Sequence, residues 1–164
     1  MLMSRSYGFT IVELMVVLII IAILATFAVP GFQDLLRSNR VASQSNELVA
    51  LITLTRSEAV RRSRLVEIDL SSTPDGWDAV VRVLDPAEIL RTATNTGVTL
   101  NDAPGQLVFN SRGYLVEPGS EDSSAWDTLG ATFSLRHPGC TNARQHRQIR
   151  VLPTGQLNGT NENC

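Results

Sequence analysis

Histidine and cysteine are almost absent from this chain of 164 residues: His137 and His146 are the only histidines, and Cys140 and Cys164 the only cysteines. That scarcity removes most of the side chains from which catalytic sites are built. No Ser or Cys sits in a nucleophile elbow or a triad pattern, and two cysteines without a nearby set of ligands do not make a zinc site. Asp75, Asp78 and Asp85 are spaced like turn residues and lack the glycine and terminal glutamate of a calcium loop. No glycine-rich loop is present to cradle a phosphate. The sequence therefore predicts a protein that is not an enzyme and holds neither metal nor cofactor, with both histidines in a surface loop around Cys140. An excess of positive charge is missing too. The formal net charge is −2, which gives the chain as a whole no electrostatic footprint of a general nucleic-acid binder.

What the chain does have is a long apolar run. From Phe9 to Val29 the only charged side chain is Glu13, and about 21 residues at ~1.5 Å each suffice to cross a hydrocarbon core of ~30 Å. The run predicts a membrane span. Only Met1 to Gly8 precede it, with Arg5 as their one charge, which favours retaining that end in the cytoplasm and sending the rest across. Glu13 needs a partner, because a carboxylate near the centre of a spanning helix is unfavourable by roughly 2.5–3.5 kcal/mol. Two readings stand open. Glu13 snorkels to the headgroups, or it meets a positive amine created by cleavage after Gly8, one helical turn away and belonging to the same chain or a neighbour.

The string Gly8-Phe9-Thr10-Ile11-Val12-Glu13-Leu14 ahead of an apolar helix resembles the class III leader and N-terminal methylation site of type IV pilins and type II secretion pseudopilins. The resemblance implies that prepilin peptidase cuts between Gly8 and Phe9 and methylates the Phe9 amine. It also implies that Glu13 pairs with the N-terminal amine of an adjacent subunit during assembly. The leader departs from many in the family in having Tyr7 before Gly8 and only Arg5 for charge. The expected divisions are a leader at 1–8, a transmembrane and filament-core helix at 9–29, its amphipathic continuation at 30–64, and a periplasmic head at 65–164. The protein is then a single-pass protein of the inner membrane that enters a pilus or pseudopilus.

Pro30 and Gly31 should kink or loosen the helix, since proline removes a backbone donor and crowds the preceding turn. Beyond them Val41, Ser45, Leu48, Ile52, Thr55 and Ala59 recur at alternating four- and three-residue spacing, the mark of an amphipathic helix. Unbroken from Phe9 to about Arg64, such a helix measures roughly 80 Å, too long for a compact domain of this size. The remainder reads as strands and turns. Strands are expected at Val66–Leu70, Trp77–Leu84, Glu88–Thr94, Val98–Leu100, Leu107–Phe109, Tyr114–Val116, Thr132–Leu135 and Gln148–Leu152. Asn110-Ser111-Arg112-Gly113 turns a hairpin with Gly113 at the positive-φ position, Pro118–Asp127 reads as a polar, flexible loop, and Pro153-Thr154-Gly155 leads into the tail. The fold class is α+β, a long N-terminal helix on an antiparallel β head. Cys140 and Cys164 both fall beyond the membrane, where a disulfide is permitted; closing a loop of about 25 residues stabilises by roughly 3 kcal/mol.

Three head segments narrow the resemblance. Thr55–Arg62 at the helix end, Val108–Gly113 in the hairpin and Arg147–Gly155 near the terminus together resemble the pseudopilin H and FimT/FimU group of minor pilins. This implies two β-sheets packed on the C-terminal half of the helix, and a low-abundance subunit near the fibre tip that helps initiate assembly. Its partners would be other minor and major pilins or pseudopilins, prepilin peptidase and inner-membrane lipid. The corresponding minor pseudopilin of a type II secretion system obeys the same physics, and the Cys140–Cys164 pair inclines toward the pilus. Some members of this group bind DNA through C-terminal arginines, so Arg144, Arg147 and Arg150, within the basic run that begins at Arg136 and His137, are candidate DNA contacts. Against that, the stretch from Gln156 to Asn163 carries no arginine, and Gln148, Arg150 and Leu152 fit a plain strand with one solvated face. A protein that is merely anchored and never enters a fibre is the remaining alternative.

Overall fold

A computed structural model describes residues 8–117 and 130–164; the loop expected at Pro118–Asp127 lies outside them. The chain divides into two compact units, one up to Leu36 and one from Arg37 onward. One helix, α1 (Ile11–Arg62), contributes to both, and it continues through Pro30, where a kink or loosening was expected.

In the first unit α1 is apolar on every side, and its large hydrophobic residues from Ile11 to Phe32 are exposed. By length and composition this helix is able to cross a membrane. In the second unit the helix becomes one-sided. The expected stripe Val41, Ser45, Leu48, Ile52, Thr55 and Ala59 is buried, joined by Gln44 and Leu51. The helix stops at Arg62 rather than Arg64 because Ser63 takes a left-handed conformation, φ 53°. The Ser63 N–H then donates to the Val60 carbonyl at 3.3 Å and the Arg64 N–H to that of Ala59 at 3.2 Å, the paired bonds of a Schellman cap.

Among the described residues nine strands follow, β1 (Val66–Thr73), β2 (Gly76–Val83), β3 (Glu88–Thr96), β4 (Thr99–Asn101), β5 (Gln106–Phe109), β6 (Leu115–Val116), β7 (Ala131–Arg136), β8 (His146–Val151) and β9 (Leu157–Asn161). They form two sheets, one of five strands in the order β3-β2-β1-β5-β6 and one of four in the order β4-β7-β8-β9. Every pairing is antiparallel. Alternation explains the inner faces: Val66, Ile68 and Leu70 of β1, Trp77, Ala79, Val81 and Val83 of β2, and Phe133 and Leu135 of β7 are buried at the period of two that a pleated strand imposes. With Leu107, Phe109, Ile149 and Val151 they make one core against Val41, Leu48 and Ile52 of the helix. Each large side chain so buried contributes about 1.5–3 kcal/mol relative to exposure.

The structure also corrects the sequence reading among the strands. Strand β9 lies in the expected tail, its residues Leu157–Asn161 mostly exposed, so no apolar alternation announced it. Strand β8 begins at His146 rather than Gln148, which places that histidine in a sheet instead of a loop. Strand β3 runs on to Thr96 rather than ending at Thr94, leaving Gly97 to reverse the chain at φ 80°.

Candidate functional site

Gly8, Phe9 and Thr10 precede the helix, and all three are exposed. Nothing described lies within 4 Å of a Cβ built at Gly8. The Thr10 hydroxyl accepts from the Glu13 N–H at 3.2 Å, and the Thr10 carbonyl accepts from the Leu14 N–H at 3.2 Å. Thr10 therefore acts as the N-cap and Glu13 occupies the third helical position, the Thr-x-x-Glu arrangement of a capping box. This gives Glu13 a local electrostatic reason to stand there, because a carboxylate in the first turn meets the positive end of the helix dipole. The Thr10 and Glu13 spacing was visible in the sequence and its capping meaning was missed.

The three head segments singled out in the sequence meet at one place. Arg56 Nε donates to the Gly113 carbonyl at 3.0 Å, and the Leu115 N–H donates to the Pro153 carbonyl at 2.9 Å. Gly113 (φ 80°) and Gly155 (φ 75°) both use the left-handed backbone that glycine adopts without steric cost. A Cβ at Gly155 would stand 2.7 Å from Arg56 Nε and would also strike the Gly113 carbonyl. The helix end, the hairpin and the last turn thus lock around one guanidinium. Beside them Thr53, Arg56, Ser57, Val60 and Arg61 line an open cleft of about 330 Å³.

At the helix terminus Glu58 accepts from Arg61 Nη2 at 2.6 Å and from Arg62 Nε at 2.8 Å, and Arg62 Nη1 reaches Glu88 of β3 at 2.5 Å. The Arg61 hydrogen bond, then that of Arg62, holds the Glu58 carboxyl below its ordinary value, while Glu58 and Glu88 raise Arg62. On the sheet, nearly buried Glu67 pairs with Arg82, which also reaches Asp69 at 3.4 Å.

The three candidate DNA-contacting arginines are not gathered on one face. Arg144 lies in a short 3-10 turn, Ala143–Gln145. Arg147 and Arg150 stand three apart in β8, an odd spacing that sends them to opposite faces. Arg147 is half-buried and covers Gly159, its Nε 3.3 Å from where a Cβ would be. Arg150 is exposed. A different basic group forms instead around His137, whose protonation is disfavoured first by burial and then by Arg37 and Arg40. His137 Nδ1 accepts from the Gly139 N–H at 3.0 Å, and Arg37 Nη1 donates to the Gly139 carbonyl at 3.3 Å. Sequence reading missed this group because its members lie about a hundred residues apart. Cys140 and Cys164 are joined by a disulfide with Cα atoms 5.8 Å apart; Arg136 Nη2 donates to the Cys164 carbonyl at 3.2 Å. Among the described residues no three His, Cys, Asp or Glu side chains are grouped to hold a metal ion.

Residues 44–156 match the family model described as type II transport protein GspH, and residues 3–29 match the prokaryotic N-terminal methylation motif. A fimbrial protein of Pseudomonas aeruginosa is 38% identical over 72 residues, covering 44% of this chain and 45% of that protein. A type IV major alpha-pilin of Moraxella bovis is 44% identical over 48 residues, 29% of this chain and 30% of that one. The chain thus spans less than half the length of these curated relatives. In fold it is similar to the crystal structure of the type IV minor pilin FimU of Pseudomonas aeruginosa, with a TM-score of 0.55 and 24% identity, over 73% of this chain and 91% of that one.

Proposed function

The chain belongs to the GspH family of type IV pilin-like proteins, and we propose that it serves as a minor pilin, processed by prepilin peptidase and held in the inner membrane until it joins others in starting a pilus. The observation that carries this reading is the joining of two parts in one chain. An exposed Gly8–Phe9 bond, a capped helix start and Glu13 open an apolar helix, and a family-matching head follows it. In this reading residues 1–8 are removed, the Phe9 amine is methylated, and residues 9–29 anchor the head until they enter the fibre core. Glu13 then answers the amine of a neighbouring subunit, relieving the cost of a carboxylate in hydrocarbon.

Mass spectrometry of the protein from cells that possess the peptidase tests the processing. The expected mature chain begins at N-methylated Phe9; material that still begins at Met1 would end this reading. Glu13→Ala should leave the head folded and the protein in the membrane while abolishing its recovery in sheared fibres.

The family model's description as a type II transport protein favours a second reading, a minor pseudopilin of a secretion system. Deleting the gene separates the two. Loss of surface pili with secretion intact fits the first, and loss of protein export with pili intact fits the second.

A further inference from the structure

The basic group around His137 lies where the chain enters its head. Arg37 is the first residue of the second unit and stands eight positions past Val29, ~12 Å along a helix that rises ~1.5 Å per residue. Phe32, Leu35 and Leu36, between the two, are apolar and exposed, so these turns suit a membrane interface. A headgroup layer of ~5–7 Å on each side of the hydrocarbon then falls within reach of a side chain as long as arginine's, which buries its stem and keeps its charged end in polar surroundings. The connection between β7 and β8 comes to the same point, because Arg37 Nη1 donates to the Gly139 carbonyl at 3.3 Å.

The side chains gathered there suit a phosphate. Arg40 is exposed, as are Pro138 and Gly139, and a guanidinium matches the geometry of phosphate oxygens. His137 Nδ1 accepts from the Gly139 N–H at 3.0 Å, which leaves Nε2 as the donor of the neutral ring. The charges that act on this ring, those of Arg37 and Arg40, are both positive. From Arg136 to Arg150 the chain has no acidic residue, and Asp34 is the only one between Glu13 and Glu47. Positive charge is thus concentrated at this end of the head in a chain whose formal net charge is −2.

We propose that Arg37, Arg40 and His137 bind the phosphate of an anionic phospholipid at the membrane surface while the head awaits assembly. This rests on the reading that residues 9–29 span a membrane, and it names the lipid that the head prefers there. Each arginine close to an anionic surface adds to the attraction within a Debye length, whereas a zwitterionic headgroup offers no net charge to reward it. The attachment selects lipid over nucleic acid, since the chain itself holds the bilayer beside this group.

Native mass spectrometry of the full chain, from detergent micelles holding equal amounts of phosphatidylglycerol and phosphatidylcholine, reads the preference. The wild type should carry phosphatidylglycerol in excess. That excess should fall about five-fold for each arginine removed, in Arg40→Gln and then in Arg37→Gln/Arg40→Gln. Arg91→Gln/Arg112→Gln, which removes as much charge from exposed positions elsewhere on the head, should leave it unchanged. Equal carriage of the two lipids by the wild type overturns the proposal, as does an equal fall in the two double variants. Retention of a DNA duplex in micelles of phosphatidylcholine alone, lost in Arg40→Gln, overturns it in favour of nucleic acid. If Arg37→Gln/Arg40→Gln fails to fold, Arg40→Gln decides alone. Alkaline carbonate extraction tests the anchored reading separately: release of the wild type from membranes ends that reading, whereas a firmly held protein without lipid preference ends only this proposal.

Discussion

The indole N–H of Trp77 donates to Gln44 Oε1 at 2.9 Å, and the Gln44 amide nitrogen donates in turn to the Thr96 carbonyl at 2.8 Å. One buried amide thereby ties the helix to two adjacent strands. Gln44→Leu keeps the volume and strands an indole donor on a residue that is 0% exposed. A loss of about 1–3 kcal/mol is expected, read as a lower urea midpoint; an unchanged midpoint would mean that the bond contributes nothing net.

Gly155 and Gly105 separate backbone strain from collision. Both have positive φ, 75° and 71°, yet a Cβ at Gly105 meets nothing within 4 Å whereas one at Gly155 meets Arg56 and Gly113. Gly105→Ala should cost about 1–2 kcal/mol for the left-handed backbone alone. Gly155→Ala should cost visibly more in a thermal melt, because the hairpin and Arg56 must move as well.

Ser63 gives the opposite sign. It holds the left-handed cap position of α1 at φ 53°, where glycine is the residue without penalty. Ser63→Gly should raise stability by about 1 kcal/mol, seen as a higher melting temperature without change in the far-ultraviolet spectrum.

Acidification should weaken the head in two steps. His137 is held below its ordinary 6.5, so the unfolded chain takes up a proton before the folded one does. Its contribution is complete above that value and declines as pH falls through the folded pKa. Glu58 is held below its ordinary 4.5; its contribution is complete above 4.5 and is lost as pH falls further. Urea midpoints measured against pH should lose the upper step in His137→Gln and the lower one in Glu58→Gln.

Removing the Cys140–Cys164 bond frees a stretch with a sequence separation of 24. A loss of about 3 kcal/mol follows from the entropy returned to the unfolded chain. Cys140→Ser/Cys164→Ser should therefore melt lower than the oxidised protein and become indifferent to reductant.

The helix and the central strands were legible because burial writes a period into the sequence: 3.6 residues from Val41 to Ala59, two in β1, β2 and β7. Strand β9 was not, since Leu157–Asn161 packs little of its surface and is held by hydrogen bonds to β8 that leave no apolar mark. Gln44 was not singled out, because the indole that satisfies it lies 33 positions away. The apolar N-terminal run and Glu13 could be read directly, being contiguous. The meeting of Arg56, Gly113 and Gly155 could not, although each segment had been noticed separately, because sequence shows spacing and not proximity.

The two sheets share a single floor, the helix face that starts at Val41 and ends at Ala59. Any water-soluble fragment must retain it whole. A truncation that begins near Arg37 leaves that floor intact, whereas one that begins past Leu48 removes Val41, Gln44 and Ser45 from beneath the strands and exposes the indole of Trp77.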